Sequence, residues 1–348
     1  MAGTNFFVGR LSENFGSQDR IGGLITVKNQ PGGSNIETTA DGFFRFGASN
    51  SFNTVLTQSY TTNTGQQGFG GMINYTYSTN QWNVRWTESL ITKSFDPQTG
   101  FVSRKDVIGS TPWITYFYRG QLLPFKDVLL DYKAAFQPEV YYTESTGKFS
   151  EFDMTILPVW FDFKNGAYLG FSITPVRQDL TSVFQPLGVN IAPGNYTYFQ
   201  HSIYLQSDPS KALNFGINYN TGSYYNGWLN SSTWQLQFAP IPNISLTGEY
   251  IRNYLYGVGE LKTTTLVNLY VLQARLALNP RLQLTGLYQR NSLNDSNSYN
   301  LRLSWEFSPL SYVYLIYNRG VNSVINNMVV QTQTQDHLIA KVSYLQQF

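Results

Sequence analysis

Cysteine is absent from all 348 residues, and histidine occurs only twice. The first absence excludes disulfides, thiol catalysis and thiolate metal sites. The second leaves His201 and His337 too few for a histidine-built metal centre. Charge is scarce too. Asp, Glu, Lys and Arg make up 13% of the chain, about half the roughly 25% of an ordinary soluble domain. A net charge of +2 offers no field for nucleic acid or for an acidic partner. No stretch approaches the ~18–20 apolar residues of a membrane-spanning helix, and mean hydropathy is slightly polar at −0.25. Interior linkers, charge runs and low-complexity blocks are also missing, so residues 1–348 read as a single domain.

In place of charge the chain carries 25 Tyr and 24 Phe, with aromatics at 16%. Their spacing is regular. Tyr299, Leu301, Leu303, Trp305 and Phe307 alternate with Asn300, Arg302, Ser304 and Glu306. Trp82, Val84 and Trp86 alternate with Asn83, Arg85 and Thr87, and Leu213, Phe215, Ile217 and Tyr219 with Asn214, Gly216 and Asn218. A period of two is the signature of strands with unlike faces. No segment longer than a turn keeps a helical period.

The connections differ in size. Tight ones lie at 164–166, 208–211, 240–243, 279–281 and 308–310. Wider ones lie at 93–109, 179–195, 257–263, 292–298 and 320–336. Long strands with short turns at one rim and longer loops at the other describe an all-β, transmembrane, antiparallel up-and-down β-barrel of about 18–20 strands. A barrel also explains the alternation. Backbone groups in lipid need partners within the protein, and a sheet provides them only by closing on itself. One face then meets hydrocarbon and the other the lumen. Leu301, Leu303, Trp305 and Phe307 are expected outside, and Arg302 and Glu306 inside. A soluble β-sandwich, propeller or solenoid alternates as well. Its strands average about 5–6 residues, shorter than these, and no blade-length repeat of about 40–50 residues is present.

The final segment, His337 to Phe348, ends on an aromatic, with Ala340, Val342, Tyr344 and Phe348 on one face. It resembles the C-terminal signal read by the barrel-assembly machinery of the bacterial outer membrane. With Phe348 at the periplasmic rim, the tight turns are periplasmic and the wide loops extracellular. The first legible strand, near residues 5–12, then runs in the same direction as the last, 335–347. Bacterial single-chain barrels normally have even strand numbers. The parity therefore predicts an N-terminally incomplete barrel, with an open seam between these two segments.

Several strings share an order and spacing: Gly100-Phe-Val-Ser-Arg-Lys-Asp106, Ile191-Ala-Pro-Gly-Asn-Tyr-Thr-Tyr-Phe-Gln200, Gly222-Ser-Tyr-Tyr-Asn-Gly227, Leu301-Arg-Leu-Ser-Trp-Glu-Phe-Ser-Pro309, Tyr317-Asn-Arg-Gly320 and Leu338-Ile-Ala-Lys341. Together they resemble the C-terminal outer-membrane barrel of an uncharacterised Bacteroidota family. Members usually carry an N-terminal domain similar to family-nine carbohydrate-binding modules. The resemblance runs from about residue 5 onward, without that domain and without the family's first barrel strands. It implies no catalytic residues.

Function is expected to follow from faces and loops. Arg85, Glu249, Arg275, Arg302, Glu306 and Lys341 are candidates to line a lumen, either as pore charges or as paired ladders that close it. Tyr224, Tyr225, Asn226 and Trp228 are candidates to stack on and hydrogen-bond a sugar, or else to belong to a membrane girdle or loop packing. A serine hydrolase would need His201 or His337 beside a serine such as Ser202 or Ser343. The oxygen-rich run Asn294-Asp-Ser-Asn297 reads as a polar loop tip rather than a Ca²⁺ site. The leading expectation is a non-enzymatic outer-membrane barrel for porin-like passage or surface handling of solutes, with carbohydrates as one class. A closed scaffold or surface-binding barrel is the alternative, and a membrane-embedded hydrolase the third reading. Expected partners are outer-membrane lipid, the assembly machinery, and glycans or other outer-membrane proteins, without nucleic acid, metal or cofactor.

Overall fold

Alternating β-branched and aromatic residues place one apolar and one polar side chain at each step of a pleated strand. The computed structural model shows strands throughout and describes residues 3–120, 123–326 and 329–345. In chain order they are β1 Asn5–Phe15, β2 Asp19–Gln30, β3 Gly33–Phe46, β4 Asn50–Thr61, β5 Gln66–Ser78, β6 Trp82–Ile91, β7 Val107–Tyr118, β8 Leu129–Thr143, β9 Phe149–Phe163 and β10 Tyr168–Leu180. They continue as β11 Gly194–Gln206, β12 Leu213–Tyr224, β13 Gly227–Ile241, β14 Ile244–Val258, β15 Thr263–Asn279, β16 Leu282–Asn291, β17 Ser296–Ser308, β18 Ser311–Asn326 and β19 Val329–Ser343. A 3-10 turn at Pro186–Gly188 accompanies the 19 strands.

Each strand pairs antiparallel with its chain neighbours, from Asn5↔Asn29 on β1–β2 to Tyr312↔Ser343 on β18–β19. The architecture is thus an all-β, up-and-down, barrel-like sheet. No register joins β1 to β19 among the described residues, so the sheet is not closed. Reversal at every connection makes these two edge strands point the same way, as the parity expectation required.

The rims divide as expected. Connections after even-numbered strands share one rim, which includes residues 92–106, 181–193, 259–262 and 292–295. Residues 164–167, 207–212, 242–243, 280–281 and 309–310 share the other. Three details differ. Residues 320–336 are not a wide loop, because β18 and β19 pair as far as Asn326↔Val329. The β18–β19 ladder runs from Tyr312↔Ser343 out to this end. Residues 259–262 and 292–295 are short turns. At the rim of tight turns, residues 119–128 form a longer connection. Arg119 pins its start, donating to the Asn80 carbonyl at 2.6 Å and to the Asp131 carboxylate at 3.0 Å.

Following the registers around the sheet separates two faces. One exposes Leu56, Ile73, Trp86, Ile203, Leu236, Leu272, Leu301 and Leu315, each more than a third accessible. Exposed apolar side chains grouped on one face mark a surface that meets lipid or another protein. Trp305 and Phe307 belong to it, whereas Ser304 on the opposite face is only 7% exposed. That opposite face is mixed but mainly polar. It carries Thr57, Thr39, Asn74, Thr87, Asn220, Ser231, Gln235 and Gln273 in cross-strand sequence, together with Met72, Val271 and Ile316.

Candidate functional site

Two long connections on the same rim fold back across the polar face. The first, residues 92–106, crosses β2–β5. Phe95, 4% exposed, lies on a floor made by Gly68 and Gly70. A Cβ at Gly68 would overlap the Phe95 backbone, and one at Gly70 would meet its ring at 3.3 Å. The glycines therefore give the loop its close approach. Its backbone is held by side chains from the sheet. The Asn35 amide donates to the Asp96 carbonyl at 2.9 Å and accepts from the Gln98 N–H at 3.0 Å. The Ser59 hydroxyl accepts from the Asp96 N–H at 2.8 Å. Thr99 meets Thr26 at 2.6 Å and donates to Glu37 at 3.3 Å.

The far end of this loop reaches β9. Arg104 donates to Glu151 at 3.0 Å and Ser150 at 2.6 Å, and lies over the Tyr141 ring. Lys105 donates to Asp96 at 2.6 Å, and this bond holds the Asp96 carboxyl below its usual range. Asp106 accepts from the Ser145 N–H at 2.7 Å in the neighbouring β8–β9 turn.

The second infolded connection, residues 181–193, crosses β10–β14. Val189 and Ile191 pack with Val176, Tyr198, Tyr225, Leu255 and Val258 in a buried apolar cluster. Here the loop builds a small core on an otherwise polar face.

Between these loops and the rim of tight turns, strands β6–β11 line a cavity of about 560 Å³. Arg85 lies over the Trp113 ring at 4.6 Å. Trp160, Phe117 and Tyr204 add aromatic surface, and Asn83, Gln137 and Thr155 add amide and hydroxyl groups. Lys133 at the wall is paired with Asp162, to which the Trp160 indole also donates at 2.9 Å. The buried Trp113 Nε1 has no hydrogen-bond partner among the described residues.

The six charged candidates all fall on the polar face. Arg85 pairs with Trp113, Glu249 with Gln235, Arg275 with Thr285, Thr285 with Arg302, and Lys341 with Tyr314 opposite Ser304. They do not converge on one point. Arg275 donates to the Pro242 carbonyl at 2.9 Å, and Glu306 accepts from the Leu310 N–H at 2.9 Å. Arg302 lies over Tyr314 at 4.5 Å and donates to Ser304 at 3.2 Å. None of the six belongs to an ion pair of the described residues.

The aromatic turn is placed differently from a sugar platform. Tyr225 is 8% exposed beneath the second loop, and its hydroxyl donates to Gln178 at 2.6 Å. Tyr224 packs edge-on against it. The Asn226 amide is occupied by the backbone of Gly259, donating at 3.0 Å and accepting at 2.8 Å. Trp228 lies on the apolar face, its indole donating to Thr221 and Asn230 at 3.2 Å.

His201 stacks on Phe171 on the apolar face, while Ser202 points to the other. His337 and Ser343 share a face of β19 but stand six residues apart, about 20 Å along an extended strand. In the turn 292–295, Asp295 accepts from Ser323 at 3.0 Å, and Asn294 from Ser296 at 2.7 Å.

Nothing in the spacing of the sequence marked Asn35, Ser59, Asp96, Trp113, Lys133 or Trp160. The pair Gly68 and Gly70 was the nearest signal, since glycine inside a strand marks close approach of another backbone. Comparison with protein-family models and with curated proteins finds no match for this chain.

Proposed function

We propose that this chain forms the wall of a non-enzymatic β-barrel in the bacterial outer membrane, and that small polar solutes pass through a lumen narrowed by two infolded loops. The observation that carries this reading is the division of one 19-stranded sheet into a mainly apolar face, interrupted at Glu88 and His201, and a mainly polar face holding both loops. An exposed apolar band is costly in water and favourable in hydrocarbon. A polar face with unpaired charges is favourable only where water reaches it. The strand ladder and the alternating last strand support assembly by the outer-membrane machinery; Phe348 itself lies outside the described residues. The Bacteroidota-family resemblance favours carbohydrates as the solute class.

The infolded loops also support a second reading, a closed scaffold whose loops serve partner proteins. Planar-bilayer conductance separates the two. Passage predicts channels in the wild type and a several-fold larger conductance when residues 94–105 are replaced by a short Gly-Ser linker. A folded, inserted protein that is silent in both forms is a closed scaffold.

A further inference from the structure

We infer that the cavity between β6 and β11 is a binding site for a sugar acid, with Arg85 holding the carboxylate and the Trp113 and Trp160 rings taking the faces of the sugar. The inference rests on passage of polar solutes as the chain's role and names the solute class. Three features of the cavity converge on that class.

The first is charge. Lys133 is neutralised by Asp162, but among the described residues the Arg85 guanidinium has no carboxylate within ion-pair distance and lies over the Trp113 ring. A planar guanidinium in a partly enclosed site binds a carboxylate through two parallel N–H bonds. The second is surface. Trp113, Phe117, Trp160 and Tyr204 line a space of about 560 Å³ with aromatic surface, within the roughly 300–1,000 Å³ usual for ligand pockets; Arg85 already covers part of Trp113, and Trp160 stacks on Tyr168. Rings suit the C–H faces of a pyranose. The third is hydrogen bonding. Asn83, Gln137 and Thr155 line it with amide and hydroxyl groups, already bonded to Ser78, Glu139 and Thr174 but with hydrogen-bonding capacity to spare, and the Trp113 indole N–H is buried without an acceptor among the described residues. A buried orphan donor marks a position where an incoming oxygen is favoured. An aliphatic carboxylate would leave the rings unused, and a neutral sugar would leave the guanidinium unpaired.

The test is isothermal titration calorimetry on the full chain folded in detergent micelles, with D-glucuronate, D-glucose and acetate as probes. Saturable binding of glucuronate is expected, with glucose and acetate each weaker by about tenfold or more, the loss expected for a charge-assisted bond or a ring contact. Arg85→Gln should lose about tenfold or more for glucuronate and little for glucose. Arg85→Lys, which keeps the charge, should fall between the two, and it serves if the glutamine variant does not fold. No saturable binding by folded wild type, or equal affinity in Arg85→Gln, overturns the site. Binding in micelles is measured apart from conductance, so the two readings fail separately. A conducting protein that ignores glucuronate refutes the site alone. A non-conducting protein that binds it keeps the site and refutes passage.

Discussion

Gly68 shows how a single residue positions the first loop. Its missing side chain is the space that the Phe95 backbone occupies. Gly68→Val should expel residues 92–106 from the polar face while leaving the β4–β5 register intact. Overpacking of this kind costs about 1–3 kcal/mol. Limited proteolysis would report it, with cleavage near Phe101 rising several-fold in the variant. Unchanged protection would mean that the loop is held elsewhere. At this scale the sequence was only partly legible. Alternation assigned a face to each of Arg85, Glu249, Arg275, Arg302, Glu306 and Lys341, because side-chain direction in a strand depends on parity alone. Parity says nothing about which distant strand or loop arrives above a residue. The sequence therefore left Tyr225 and Asn226 open between sugar contact and loop packing, and in the fold they anchor the loop 181–193 and the turn at Gly259.

Among elements, the loops were less legible than the strands. Strand order, rims and the direction of each segment follow from counting alternations and turns, and the 19 strands agree with that count. The infolding of residues 92–106 depends on hydrogen bonds between distant residues, such as Ser59 with Asp96, Asn35 with Gln98 and Thr26 with Thr99, 37, 63 and 73 positions apart, which no local pattern encodes. The Lys105–Asp96 bond gives this loop a pH dependence. Asp96 is more acidic when docked than when free, chiefly because Lys105 donates to it. Its contribution is therefore complete above the free carboxylate value of about 3.9 and fades as pH falls through the lower docked value. Loop protection in hydrogen exchange should be flat from neutral pH to about pH 5 and weaken below about pH 4, once intrinsic exchange rates are corrected for. Lys105→Met should flatten that acid response. Identical acid profiles in variant and wild type would remove Asp96 as the cause.

On the scale of the whole molecule, the open seam and the two faces matter most. β1 and β19 point the same way, so they cannot pair antiparallel, and each leaves a row of backbone groups unpaired. In hydrocarbon every such group would cost several kcal/mol, so the proposed membrane setting requires the seam to be shielded or filled. The two faces are the basis on which we propose a membrane as the solvent, and they can be read directly. The chain has no cysteine, so a single engineered thiol can carry a spin label without background. Labels placed one at a time from Tyr270 to Leu276 on β15, in protein reconstituted into liposomes, report collisions with lipid-dissolved oxygen or with a water-soluble nickel chelate. Strict alternation is expected. Positions 270, 272, 274 and 276 should collide with oxygen, and positions 271, 273 and 275 should collide less with oxygen and more with the chelate. Uniform access to the chelate at all seven positions, or a loss of alternation, would contradict a transmembrane barrel.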